Sequence, residues 1–236
     1  APALPGLFAR HDEAVFDYAG ARIVDLAQRE AAMANWRRLK TEDSAEIEYE
    51  IVIESSEISP QISWGTSPEE SFALNEKIPA SASSSALAYM GLEAGQSLSG
   101  LQIDGAFIGS CTNGRLSDLI AAAEIVRGRR VPETVRAVCV PGSKAVRRDA
   151  EDLGIDQVFI QAGFEWGEPG CAMCFYAGGE TFPPKSRIVS STNRNFEGRQ
   201  GPGVRTHLAS PAVVAACAVA GKICAPIDLP KLVEAI

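Results

Sequence analysis

From residue 101 onward the chain alternates short apolar runs with helical stretches, and this alternation narrows the fold more than any other feature of its 236 residues. "IDGAFIGS" (103–110), "VRAVCVP" (135–141), "QVFIQA" (157–162) and "SRIVSST" (186–192) read as strands. Their continuous apolar character suits strands covered on both faces. "RLSDLIAAAEIVRG" (115–128) reads as a helix with Leu116, Leu119, Ile120, Ala123 and Val126 on one face and Gly128 as its stop. "SKAVRRDAEDLG" (143–154) reads as a second helix. "SPAVVAACAVAG" (210–221) reads as a third, with Ser210 as N-cap and Pro211 at the first helical position. Strands alternating with helices predict an α/β fold, a three-layer α/β/α arrangement around a mostly parallel sheet. In such sheets ligands gather in the loops beyond the strand ends.

The preceding hundred residues are less regular, so the chain divides into an N-terminal segment with a linker (1–100) and an α/β domain (101–236). "DLAQREAAMANWRRLK" (25–40) predicts an amphipathic helix, with Leu26, Met33, Trp36 and Leu39 near helical spacing. "AEIEYEIVIE" (45–54) alternates as a half-exposed strand does. "ISPQISWGTSPEES" (58–71) is loop-like, and "ASASSSALAYMGL" (80–92) passes from a Ser/Ala linker into a helical turn. A net charge of -8 speaks against nucleic acid or an anionic membrane surface as partner. No apolar run approaches the ~20 residues that span a bilayer. The first residues carry no signal-like pattern, and a cytoplasmic location is expected.

Six cysteines in a chain with ample core suggest reduced thiols rather than bridges. Cys139 and Cys217 read as small buried hydrophobes, and Cys224 as incidental. Cys111, in "FIGSCTNGR" (107–115), follows a strand and precedes a helix, where exposed N–H groups favour the thiolate. Cys171 and Cys174, in "EPGCAMC" (168–174), have the spacing that lets two thiolates converge on one centre; redox pairs and zinc sites share it. Three thiolates are one ligand short of a closed site, and an open position is what a Lewis-acid catalyst needs. His207 reads as a capping or buried hydrogen-bonding residue more readily than as a fourth ligand. Arg194 and Arg199 lie five apart in "SSTNRNFEGRQGPGVRTH" (190–207), where a guanidinium fork can grip carboxylates. Asn193 and Asn195 beside them can hydrogen-bond a ligand.

"GSCTN" (109–113), "PGCAMC" (169–174) and "NRNFEGRQG" (193–201), in this order, resemble the aconitase superfamily, and within it the large subunits of the isopropylmalate dehydratase branch. "ISPQISWGTSPEE", "ALAYMGL" and "VPGSKAVRRDAEDLG" extend the likeness over residues 45–224. The resemblance implies a [4Fe-4S] cluster held by Cys111, Cys171 and Cys174, and substrate carboxylates held by Arg194 and Arg199 with Asn193 beside them. It implies a hydro-lyase that interconverts 2-isopropylmalate and 3-isopropylmalate in leucine biosynthesis, on a small di- or tricarboxylic acid. It also implies a small-subunit partner, or swivelling domain, whose serine takes the carbon-bound proton. No residue here matches that serine, so the catalytic base is unassigned. The family's first half, with its histidine and acidic residues, has no counterpart in this chain, which resembles the C-terminal part of a large subunit. Gly114 stands where many relatives have serine. The alternatives are a homoaconitase or another small-acid dehydratase, a non-catalytic cluster- or zinc-binding domain, and, more weakly, a thiol–disulfide enzyme built on Cys171 and Cys174.

Overall fold

In the computed structural model, which describes residues 13–39, 44–46, 49, 51–176 and 180–231, the chain forms two compact units, 1–54 and 55–236. The first contains helices α1 (Glu13–Gly20) and α2 (Leu26–Arg37). Asp25 caps α2 by accepting from the Gln28 N–H at 2.8 Å, as an N-cap carboxylate does. Phe16 stacks on Trp36 with ring centroids 6.3 Å apart, and Arg37 forks onto Glu13 at 3.0 and 2.6 Å. The helix expected over 25–40 is present, but its face is shallow: Met33 and Trp36 are half-buried while Leu26 and Leu39 are exposed.

The strand expected over 45–54 does not form in its described part. Tyr49 and residues 51–54 have no regular secondary structure, while 47, 48 and 50 lie outside the described residues. Tyr49, Ile51, Val52 and Ile53 are all exposed. Alternation makes a strand only where a neighbour takes up its ladder bonds and covers its apolar face.

The second unit opens with a hairpin where a loop was expected, β1 (Gln61–Ser63) antiparallel to β2 (Ser71–Ala73). Glu70 closes it by accepting from the Thr66 and Ser67 N–H groups at 2.7 and 3.1 Å. α3 (Ser84–Met90) follows and ends at Gly91. The alternating region supplies β3 (Gly105–Gly109), α4 (Leu116–Val126), β4 (Arg136–Val140), α5 (Lys144–Asp152), α6 (Ile155–Ala162), β5 (Phe164–Trp166), β6 (Arg187–Ser190), β7 (Arg205–Leu208) and α7 (Pro211–Ala220). One expected element is corrected: "QVFIQA" lies in α6, not a strand. Ile155, Phe159 and Ala162 are its buried positions, spaced for one helical face, and Gly163 at φ +97° stops it. The strand is the shorter β5 just beyond.

The five strands lie in the order β5-β4-β3-β6-β7, every pair parallel, so the α/β fold with its parallel sheet is the expected one. α4, α5, α6 and α7 pack on one face over Ala106, Ile108, Ala137, Cys139 and Val189. α7 is apolar nearly all round because it lies between α4 and β3; Val213, Val214 and Cys217 are fully enclosed. Each such valine contributes about 1.5–3 kcal/mol. The opposite face carries Phe107, Val138, Val140 and Ile188, covered by Met173 and Cys174 from a 3-10 turn (Ala172–Cys174) and by Phe182 and Val204 from loops. Among the described residues no helix is long and apolar enough to cross a membrane.

Candidate functional site

From β3 the chain winds outward through β4 to β5, then jumps back to β6 on the other flank of β3. The sheet's switch point is therefore the cleft between β3 and β6. In parallel sheets a ligand site forms there, beyond the carboxyl ends of the strands. The loop after β3 holds Cys111, the loop after β5 holds Cys171 and Cys174, and the loop after β6 holds Asn193, Arg194 and Arg199.

Ser191 ties the first and third loops together. Its Oγ accepts from the Gly109 N–H at 2.9 Å, its N–H donates to the Phe107 carbonyl at 2.9 Å, and its carbonyl accepts from Asn113 Nδ2 at 2.6 Å. Gly109 lies at φ +106°, and a Cβ there would collide with the Val140 carbonyl oxygen. Only glycine can bring the backbone so close while turning it out of the sheet. Ser110 and Asn113 also lie at positive φ, 68° and 51°, an uncommon conformation for side-chain-bearing residues and a mark of functional turns.

Cys111 is exposed in this turn. The helix after it begins only at Leu116, capped by Asp118 accepting from the Arg115 N–H at 3.0 Å. The expected helix-start effect is thus replaced by a local one. The Thr112 hydroxyl, foremost, and neighbouring backbone N–H groups draw the Cys111 thiol below its ordinary range.

The Cys171–Cys174 loop is anchored by its middle. Met173 is fully buried on Phe107, Val138 and Val140, leaving Cys171 exposed and Cys174 buried. It meets the arginine loop at three points: Gln200 Nε2 donates to the Met173 carbonyl at 3.0 Å, the Tyr176 N–H to the Arg199 carbonyl at 2.9 Å, and Arg199 Nη2 to Cys174 Sγ at 3.3 Å. The Arg199 guanidinium also faces the Phe175 and Phe196 rings at 5.0 and 5.3 Å. Arg194 and Asn193 are exposed, with Arg194 Nη1 donating to the Asn193 carbonyl at 2.8 Å. Asn195 is buried instead, its Nδ2 donating to the Gly65 carbonyl at 2.8 Å.

Among the described residues, no group of three or more His, Cys, Asp or Glu side chains converges as a ready metal site. Unpartnered buried polar atoms nevertheless concentrate in these loops. Ser110 Oγ, Asn195 Oδ1 and Arg199 Nε are three of the four buried side-chain polar atoms without a partner among the described residues. Such atoms are rare in folded proteins, and these three fall in two of the motif loops, the one after β3 and the one after β6, where a polar ligand could meet them. Soft thiol donors and a guanidinium already on one sulfur suit a thiolate-bound iron–sulfur group.

His207 is not a candidate ligand. Its Nδ1 lies 2.7 Å from the Ser63 carbonyl and its Nε2 2.7 Å from Arg187 Nη1, and the ring is wholly buried. Ser191, Met173 and Gln200 carry no functional signal of their own in the sequence, even where they stand inside a quoted motif, because serine, methionine and glutamine there look like strand-end or core residues.

The aconitase family (aconitate hydratase) model matches residues 2–221. A 3-isopropylmalate dehydratase large subunit of Cupriavidus necator is 48% identical over 227 residues, covering 91% of this chain and 85% of that protein. The 3-isopropylmalate dehydratase large subunit 1 of Bradyrhizobium diazoefficiens is 50% identical over 224 residues, covering 90% of this chain and 47% of that protein. The chain thus spans about half the length of the latter.

Proposed function

The chain belongs to the aconitase family, and on that premise we propose that it is the cluster-bearing portion of a 3-isopropylmalate dehydratase large subunit. The observation that carries this reading is the Arg199–Cys174 contact, a carboxylate-binding cation on a cluster-type thiol at the switch point of the sheet. Cys111, Cys171 and Cys174 hold a [4Fe-4S] cluster. Such a cluster with three thiolate ligands supplies a Lewis-acidic iron. Arg194 and Arg199, with Asn193 beside them, hold the carboxylates of 2-isopropylmalate while water is removed and re-added one carbon away. Arg199 is suited to this because Phe175 and Phe196 fix the plane of its guanidinium. The Ser191 bridge fixes the Cys111 turn against the arginine loop, so substrate and cluster keep one distance. The base that moves the carbon-bound proton comes from a small-subunit partner. The free cysteines suit the cytoplasm.

The test is iron and acid-labile sulfide content after purification without oxygen, for the wild type and Cys111→Ser. About four irons per chain, lost in the variant, is the expected result. Zinc in place of iron, or full iron retention in Cys111→Ser, would sink it.

A further inference from the structure

Cys217 and Cys224 lie toward the end of the sheet where residues 101–103 lead into β3, whereas Cys111 lies beyond the other end of that strand, and nothing in the proposed reaction uses them. α7 ends at Gly221, whose φ of +68° turns the chain back so that Cys224 returns beneath the last helical turn. The Cys224 N–H donates to Cys217 Sγ at 3.4 Å, and the Cys217 thiol donates to the Cys224 carbonyl at 3.5 Å. The segment is pinned there: Gly100 N–H donates to the Ile223 carbonyl and Ile223 N–H to the Leu101 carbonyl, both at 2.8 Å. Both cysteines are buried, Cys217 completely and Cys224 at 5% exposure, but Cys224 forms part of the wall of a groove of about 680 Å³ with Arg129, Arg130, Lys222, Lys231 and Asp228. Four cations against one carboxylate make this a positive groove on a chain of net charge -8.

We propose that Cys224 and Cys217 form an oxidisable dithiol, with Cys224 the attacking thiol and Cys217 the resolving one, and that the groove admits a small anionic disulfide as oxidant. The Cys224 thiolate attacks one sulfur of that disulfide and expels the other half as a thiol. Cys217 then gives up its proton, and its sulfur attacks the Cys224 sulfur, releasing the second thiol. One disulfide is reduced to two thiols while the protein gains one disulfide. The division of roles follows from the surroundings. The interaction between the two thiols lowers Cys224 and raises Cys217; burial opposes both thiolates, and at Cys224 Asp228 opposes the thiolate somewhat more than Lys222 favours it. Cys224 is nearly as buried as Cys217, but it alone of the two lines the cationic groove, and the lower-lying thiol on the side the oxidant enters attacks first.

The full chain, prepared reduced, is exposed to glutathione disulfide, acid-quenched and peptide-mapped by mass spectrometry. The expected product is a Cys217–Cys224 linked peptide, with Cys217→Ala instead accumulating the glutathione adduct on Cys224. Arg130→Gln/Lys222→Gln slows the reaction with glutathione disulfide about fivefold and leaves that with neutral hydroxyethyl disulfide unchanged. Oxidation confined to Cys111, Cys171 or Cys174 overturns the proposal, as does a wild-type adduct on Cys224 that never resolves. Equal slowing with both disulfides overturns the role of the groove. The wild-type map needs no variant to fold, and its outcome is independent of whether the thiols at the switch point carry a cluster.

Discussion

Arg199 is held from three sides, by the Phe175 and Phe196 rings and the Cys174 sulfur, while its Nε has no partner among the described residues. A lysine there would keep the charge but lose the planar fork. Arg199→Lys should leave iron content unchanged and weaken substrate binding about 10- to 100-fold, the equivalent of a hydrogen bond to a charged group. Titration with 2-isopropylmalate checks it; unchanged affinity would remove Arg199 from the substrate site. Cys111 offers a second residue-scale test. Because Thr112 draws the thiol down, alkylation of the metal-free protein by iodoacetamide should reach half its plateau rate at a lower pH than in an unstructured cysteine peptide. Thr112→Val should move that midpoint up. The thiol itself was legible in "GSCTN", but not the reason for its acidity, since the sequence places a helix after Cys111 without saying that four residues intervene before it starts.

Elements were legible where pattern and burial agree. α4, α7, β3, β4 and β6 lie where apolar runs and caps put them, because each is buried along the face its period selects, and α5, in which only Ala150 is buried, starts at its Ser143 cap. α6 was not, because the six residues of "QVFIQA" show a run of β-branched and aromatic residues and omit Ile155, the position that reveals the helical spacing. The stretch 45–54 failed oppositely, with strong alternation but exposed apolar side chains. The element that matters most for the site is α3, which the sequence marks only as a helical turn. Its Tyr89 hydroxyl donates to the Val204 carbonyl at 2.8 Å and accepts from the Gly198 N–H at 2.9 Å, holding both ends of the arginine loop. Tyr89→Phe leaves two backbone groups without that partner, at a cost of about 1–3 kcal/mol. Urea unfolding should register the loss, and hydrogen exchange at Gly198 should accelerate; unchanged exchange would show the loop held by other contacts.

At the scale of the whole molecule, the sequence reveals the order of three motifs, but it takes the return of β6 to the flank of β3 to bring their loops to one end of the sheet. The same topology buries a polar pair between the hairpin and the sheet. His207 on β7 is wedged between the Ser63 carbonyl and the Arg187 guanidinium, and Arg187 reaches the Met90 carbonyl at 3.0 Å. Burial, reinforced by the Arg187 charge, lowers the ring to about 3, so His207 is neutral in the folded protein at any ordinary pH. An unfolded chain regains a histidine titrating near ~6.5. Between these values the unfolded state binds the extra proton, so stability is complete above the unfolded value and falls as the pH drops toward the folded one. The loss is on the order of a few kcal/mol, a large part of the margin of a typical domain. Urea midpoints measured from pH 7.5 down to 4 should therefore fall in the wild type. His207→Gln, which cannot take up the proton, should be less stable at pH 7.5 but flatter across that window. A slope equal in the two proteins would assign the acid sensitivity to carboxylates elsewhere and leave His207 a purely structural wedge.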